Sequence, residues 1–279
     1  MKSVVLSLML FSNDIPSAKA SLLGMDNASS TAYLANDGNL GNDADPTNNT
    51  NGWVSGDNGF VTGPGAFLPW ALNTGGTSGA AGFFIGDSRN LSSGLTGADI
   101  NSAGNAAFGM YGNTSMFANA VRAFDSALAV GQTLTLDIGV NFRNGQKGFD
   151  VRNASNAVLM NFNIGNLGAG DDYTVQLATT GNGSIGTGYA AKTAFNVSIT
   201  QTSAEGGFWA ILRSGGISDS DSGTYTGVPT NLNLYVNATG GGAESDLYVN
   251  NLAIVPEPAS TSLIAAAAVG FALRRRRRV

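Results

Sequence analysis

The chain has 279 residues, a formal net charge of −5, and neither cysteine nor histidine. That excludes disulfides, thiolate nucleophiles and thiolate metal sites, and it removes the commonest general base and transition-metal ligand. Charged residues are 12% of the chain, against 43% hydrophobic residues and 39 glycines. Surface polarity therefore falls to Asn, Ser, Thr and Gly, which favour turns over helices.

The first segment is an address. Lys2 precedes the apolar run Val4–Phe11, and Ala18-Lys19-Ala20 supplies a small-x-small site. This is the layout of a signal peptide over residues 1–20, with Ala18 and Ala20 as the small cleavage positions. It predicts passage through the secretion translocon. Between residue 21 and Glu257 there are seven Lys/Arg and eighteen Asp/Glu, a balance of −11. Such a body disfavours nucleic acid and anionic lipid as partners.

Asn, Asp, Gly and Thr dominate residues 36–59, which read as a long surface loop or the start of the first sheet. Trp53 and Trp70 lie in polar or Pro/Gly surroundings. They are the candidate glycan-binding residues, because an exposed ring presents a flat apolar face to a sugar. Trp209, between Phe208 and Ile211, is assigned to the core. Asp37, Asp43 and Asp45, and later Asp219 and Asp221, offer closely spaced oxygens in Gly-rich sequence. They are the candidate calcium ligands, although no EF-hand spacing is present.

From residue 82 onward apolar residues alternate with period two. Leu134, Leu136, Ile138, Val140 and Phe142 share one face, with Thr133, Thr135, Asp137 and Asn141 on the other. Val158–Ile164, Phe195–Ile199 and Leu232–Val236 repeat the pattern, and Asn161 and Asn163 lie on the polar side of theirs. Further strands are expected at Gly82–Ile85, Ala107–Tyr111, Val121–Leu128, Gly148–Arg152, Tyr173–Leu177, Phe208–Leu212 and Leu247–Ile254. Asn144-Gly145, Gly181-Asn182-Gly183 and Gly240-Gly241-Gly242 read as turns. The prediction is all-β: one antiparallel β-sandwich over 21–254. Its closing strand, Asp246–Ile254, resembles the last strand of concanavalin-like jelly rolls, the fold of many lectins and glucanases.

Glycan cleavage on such a fold needs two carboxylates close together. The glucanase pattern Glu-x-Asp-x-x-Glu is absent. Asp137 and Asp150 are the pair to consider, set against a solvated sheet face for Asp137 and an Asp150–Arg152 surface pair. The expectation is a protein that is not an enzyme.

The last segment has three parts in order. Val255-Pro256-Glu257-Pro258 comes first, then the uncharged stretch Ala259–Leu273, then Arg274, Arg275, Arg276, Arg277 and Arg278. The apolar stretch partitions into lipid as a hydrophobic helix, and the arginines stay cytoplasmic under the positive-inside rule. Residues 255–279 resemble the PEP-CTERM sorting signal of Gram-negative, biofilm-forming bacteria. The resemblance implies recognition by an exosortase, a membrane-embedded protease, after transient anchoring in the inner membrane. The combined reading is an exported cell-surface or matrix protein associated with exopolysaccharide. A lectin-like binding module and a polysaccharide hydrolase or lyase are the alternatives.

Overall fold

Strands with one apolar face must bury it against a second layer. The computed structural model describes residues 22–34, 53–59, 66–89, 97–165, 173–178, 181–185, 192–215 and 218–256. In chain order the strands are β1 (Gly24–Asp26), β2 (Phe67–Gly76), β3 (Ala81–Gly86), β4 (Ala107–Gly112), β5 (Met116–Phe124), β6 (Gln132–Val140), β7 (Gln146–Arg152) and β8 (Val158–Asn163). There follow β9 (Tyr173–Leu177), β10 (Gly181–Ile185), β11 (Thr193–Gln201), β12 (Gly206–Ser214), β13 (Asp219–Thr226), β14 (Asn231–Asn237) and β15 (Leu247–Pro256).

They form two antiparallel sheets. The first runs β13-β12-β11-β6-β15-β4-β3, with β1 beside the end of β15. The second runs β10-β9-β8-β7-β14-β5-β2. The chain passes from one sheet to the other at β1–β2, β2–β3, β4–β5, β5–β6, β6–β7, β10–β11, β13–β14 and β14–β15. The sequence neighbours β6 and β7, and likewise β14 and β15, therefore sit in opposite sheets, as in a jelly roll. The expected all-β sandwich is the observed fold.

The core lies where the alternation places it, except at Phe142, just past the end of β6, and at Val158, the first residue of β8, which are both exposed. Leu134, Leu136, Ile138 and Val140 of β6 face Leu232, Leu234 and Val236 of β14 in one buried cluster. Phe162 of the second sheet meets Phe195 of the first edge-on, with centroids 5.1 Å apart. Trp209 is buried with them.

Three strands at sheet edges differ from the sequence expectation, and β1, beside the end of β15, is a further strand that the alternation did not mark. Asp219 and Asp221 do not sit in a loop; they belong to β13, whose sequence Asp-Ser-Asp-Ser-Gly-Thr-Tyr-Thr has almost no apolar alternation. Gly181-Asn182-Gly183 is not a turn but part of β10. β2 holds Pro69 and a register shift between Phe67 and Trp70. Edges need no second apolar neighbour, and acidic residues and proline there discourage pairing with other chains. β5 also begins earlier than expected and stops at Phe124.

The outer face of the first sheet is partly covered. Ile100 packs on Ala107 and Tyr248, and the Asn250 amide donates to the carbonyls of Ile100 (2.9 Å) and Ala106 (2.8 Å). Beside this flap, Arg89 donates to Asp87 at 2.9–3.0 Å. Those bonds hold the Asp87 carboxyl down at about 2, from an ordinary 3.8. A lowered folded value means stability present above pH 3.8 and lost as pH falls toward 2. Thermal melts against pH are expected to show a shallower acid limb in that window for Asp87→Asn; an unchanged limb contradicts the assignment.

β15 continues through Val255 and Pro256, which pair with Thr133 and Gln132. The sheet thus runs two residues past the boundary expected at 254. The expected signal peptide with Ala18 and Ala20, the segment Ala259–Leu273, and Asp37, Asp43 and Asp45 lie outside the described residues. Among the described residues no helix is long and apolar enough to cross a membrane.

Candidate functional site

Directly opposed residues of an antiparallel ladder share a face. The outward residues of the second sheet therefore form rows across it. One row reads Val121, Asn233, Asp150, Asn161 and Gln176 from β5 to β9. The next reads Asn119, Tyr235, Gly148, Asn163 and Thr174. Asn233, Asp150, Asn161 and Gln176 of the first row and Asn119, Tyr235 and Asn163 of the second line an open groove of about 640 Å³. It crosses four strand spacings, roughly 19 Å at about 4.8 Å per spacing.

A tight hydrogen-bond net fixes its centre. Arg152 Nη2 lies 2.6 Å from Asp150 Oδ2. Asn161 donates to Asp150 Oδ1 at 2.8 Å, and Asn233 to Oδ2 at 3.2 Å. Asn161 and Asn163 both donate to the Tyr235 hydroxyl, at 2.9 and 3.0 Å. Burial pushes the Tyr235 phenol up to about 12, with the Asp150 charge adding to the effect. Gly148 makes the close packing possible. Its φ is +154°, and a methyl group there would overlap the Phe162 carbonyl oxygen and crowd the Tyr235 hydroxyl. The side chains of Asn119 and Gln176, at the two sides, make no hydrogen bond among the described residues.

The aromatic candidates for sugar stacking are elsewhere. Trp53 is 2% and Trp70 1% exposed. This corrects the expectation of exposed platforms: their local polar sequence masked a buried aromatic cluster. Trp53 meets Trp70 edge-on at 4.8 Å and Phe108 at 4.8 Å. Beneath them Asp26 of β1 accepts from Trp70 Nε1 (3.0 Å) and the Tyr33 hydroxyl (2.7 Å), and pairs with Arg122 of β5 at 2.7 Å. Burial pushes the Asp26 carboxyl up to about 6, outweighing the opposing pull of Arg122. This cluster joins the two sheets and is closed to ligands.

The acidic candidates do not converge either. Asp137 is on the outer face of the first sheet, bonded by the amides of Asn196 and Asn251 at 2.8 Å each. Asp150 is on the outer face of the second. The sandwich separates them, so they cannot act as one acid pair. Asp219 and Asp221 lie on one strand, each accepting from the backbone N–H of the next residue. Among the described residues no group of three or more His, Cys, Asp or Glu is arranged to hold a metal. Sequence reasoning named Asp150, Arg152, Asn161 and Asn163 in passing, but not Tyr235, Asn233 or the groove. Their polar faces were visible; the strand order that assembles them was not.

The sheet arrangement is similar to that of several solved proteins at low identity. One is the catalytic domain of the glycoside hydrolase family 131 protein from Coprinopsis cinerea: 13% identity, 62% of this chain and 76% of that chain covered, TM-score 0.39. Another is the botulinum neurotoxin serotype D binding domain: 11% identity, 67% and 47% covered, TM-score 0.37. A third is the serotype D ligand binding domain in complex with N-acetylneuraminic acid: 13% identity, 67% and 46% covered, TM-score 0.36. The chain spans about half the length of these two toxin chains. Such likeness bears on the fold alone. No curated protein sequence matches the chain. At its other end, where β15 leaves the sheet, Val255 and Pro256 open a segment that also holds Glu257, Pro258 and the arginines. Residues 255–277 match the PEP-CTERM protein-sorting motif, which implies an exported protein that transits a membrane and is processed by an exosortase.

Proposed function

We propose that this is a non-enzymatic cell-surface or matrix protein whose second sheet binds extracellular polysaccharide in the amide-lined groove. The observation that carries the reading is the groove itself. Asn119, Asn161, Gln176, Asn233 and Tyr235 line it together, and amides and a phenol match the hydroxyls of a glycan by accepting and donating at once. The sorting motif supports a setting outside the cell. The non-enzymatic part is supported by the separation of Asp137 from Asp150. Among the described lining residues Asp150 is the one carboxylate, whereas glycoside hydrolysis ordinarily uses two. The reading places the protein, after inner-membrane anchoring and exosortase processing, in the polysaccharide layer.

The test uses the double variant Asn119→Ala, Gln176→Ala, whose removed side chains make no hydrogen bond among the described residues. Wild-type protein is expected to remain with the polysaccharide of producing cells, and the variant to pass into the medium. Equal retention of the two overturns the groove reading. Release of reducing ends from the same polysaccharide by purified wild-type protein overturns the non-enzymatic one.

A further inference from the structure

We propose that the groove reads an uncharged, hydroxyl-bearing chain, and that the Tyr235 O–H is the donor that fixes it; this rests on the polysaccharide reading above. The phenolic oxygen has two lone pairs and one proton. Asn161 Nδ2 and Asn163 Nδ2 occupy the lone pairs, at 2.9 and 3.0 Å. Among the described residues no acceptor takes the proton, so it is left for the groove. Burial keeps the phenol protonated, near 12, across the physiological range.

The acceptor side is beside it. Asn161 spends its Nδ2 on Asp150 and Tyr235, with the Phe149 carbonyl at 3.4 Å as a longer third partner, while its carbonyl oxygen receives no donor among the described residues. Asn233 spends its Nδ2 on Asp150, and its carbonyl oxygen is likewise open. A sugar hydroxyl that accepts from Tyr235 and donates to Asn161 or Asn233 satisfies both ends. A carboxylate or sulfate satisfies only the first and would face two carbonyl dipoles.

Charge points the same way. The lining residues include one acid and one base, Asp150 and Arg152, and they are 2.6 Å apart, so their charges offset each other. The body of the chain, seven basic against eighteen acidic residues, repels polyanions at longer range. A cationic chain gains no unpaired carboxylate either. Binding through neutral hydrogen bonds is insensitive to salt, whereas ion-paired binding is screened.

The experiment is isothermal titration of the purified full chain, in detergent, with oligosaccharides of matched length at low and high salt. Neutral probes are cello-, malto- and N-acetylglucosamine oligomers; anionic probes are oligogalacturonate and oligoalginate. A neutral oligomer is expected to bind with the same affinity at both salts, and Tyr235→Phe to weaken it about tenfold or more, equivalent to about 1.4 kcal/mol. A series of the bound oligomer lacking one hydroxyl at a time makes the same test on the wild-type chain. One position is expected to cost about as much as Tyr235→Phe, and a flat series overturns the donor assignment. Binding of anionic probes alone, or affinity that collapses with salt, overturns the uncharged-chain inference while leaving the polysaccharide reading intact. Failure of every probe overturns both.

Discussion

Arg122→Ala is expected to lower the unfolding free energy by about 3–5 kcal/mol, because it strands a buried carboxylate. Arg122 and Asp26 are both fully buried, with 2.7 Å between them. The guanidinium also donates to the carbonyls of Leu68 and Asp57 and to Asn58 Oδ1. Its face lies 5.0 Å from the Trp70 ring and 5.3 Å from Phe67. One side chain thus ties together β1, β2, β5 and the segment at 57–58. Replacing both charges, as in Asp26→Leu with Arg122→Met, is expected to cost less than Arg122→Ala alone, since no uncompensated charge remains. Urea denaturation of the two variants checks this; a double variant as unstable as Arg122→Ala contradicts it.

The same pair carries a pH signature. Burial raises the folded value of Asp26 to about 6 from 3.8. A raised acid value means that the folded state binds the proton more tightly, so this contribution declines as pH rises from 3.8 to about 6. Asp26→Asn removes that slope. The window lies above the one in which Asp87 acts, and the sign is opposite, so the two contributions separate in a pH series.

Trp53→Ala is expected to be comparably costly, about 3–5 kcal/mol, as for other large aromatics cut back to alanine in a core. Trp53 contacts Trp70, Phe83 and Phe108 at 4.8–5.4 Å between centroids. The effect should appear in the melting temperature and not in ligand affinity measured where the variant is still folded. A variant of wild-type stability that loses glycan binding would return Trp53 to the role its local sequence had pointed to. Gly59 guards the same cluster: a methyl group there would overlap Asp26 Oδ1 and press on the Tyr33 ring and hydroxyl at 2.9 Å.

The two tryptophans show why local sequence misled. Trp53 follows Asn51-Gly52 and precedes Val54-Ser55-Gly56, and Trp70 follows Pro69. Exposure is not a local property. It depends on which distant strand lies overhead, here β4 with Phe108 and β5 with Arg122. Asp219 and Asp221 show the converse. Their spacing read as a ligand loop, yet backbone pairing with β12 made them part of an edge strand.

What the sequence by itself determined is whatever depends on near neighbours. Period-two alternation set the central strands β6, β8, β11 and β14, because a strand buried on one face must show its apolar residues at every second position. The order of motif, apolar stretch and arginines marked the C-terminal address, because a sorting signal is read along the chain. The tertiary structure alone decided the rest. Strand order placed Asn119, Tyr235, Asn233, Asp150, Asn161 and Gln176 on one face, although they come from five strands spread between positions 119 and 235. It also set Asp137 and Asp150 on opposite faces. Lateral pairing between strands carries no signature in local periodicity: each strand states which residues face outward, and only the assembled sheet states which of them become neighbours.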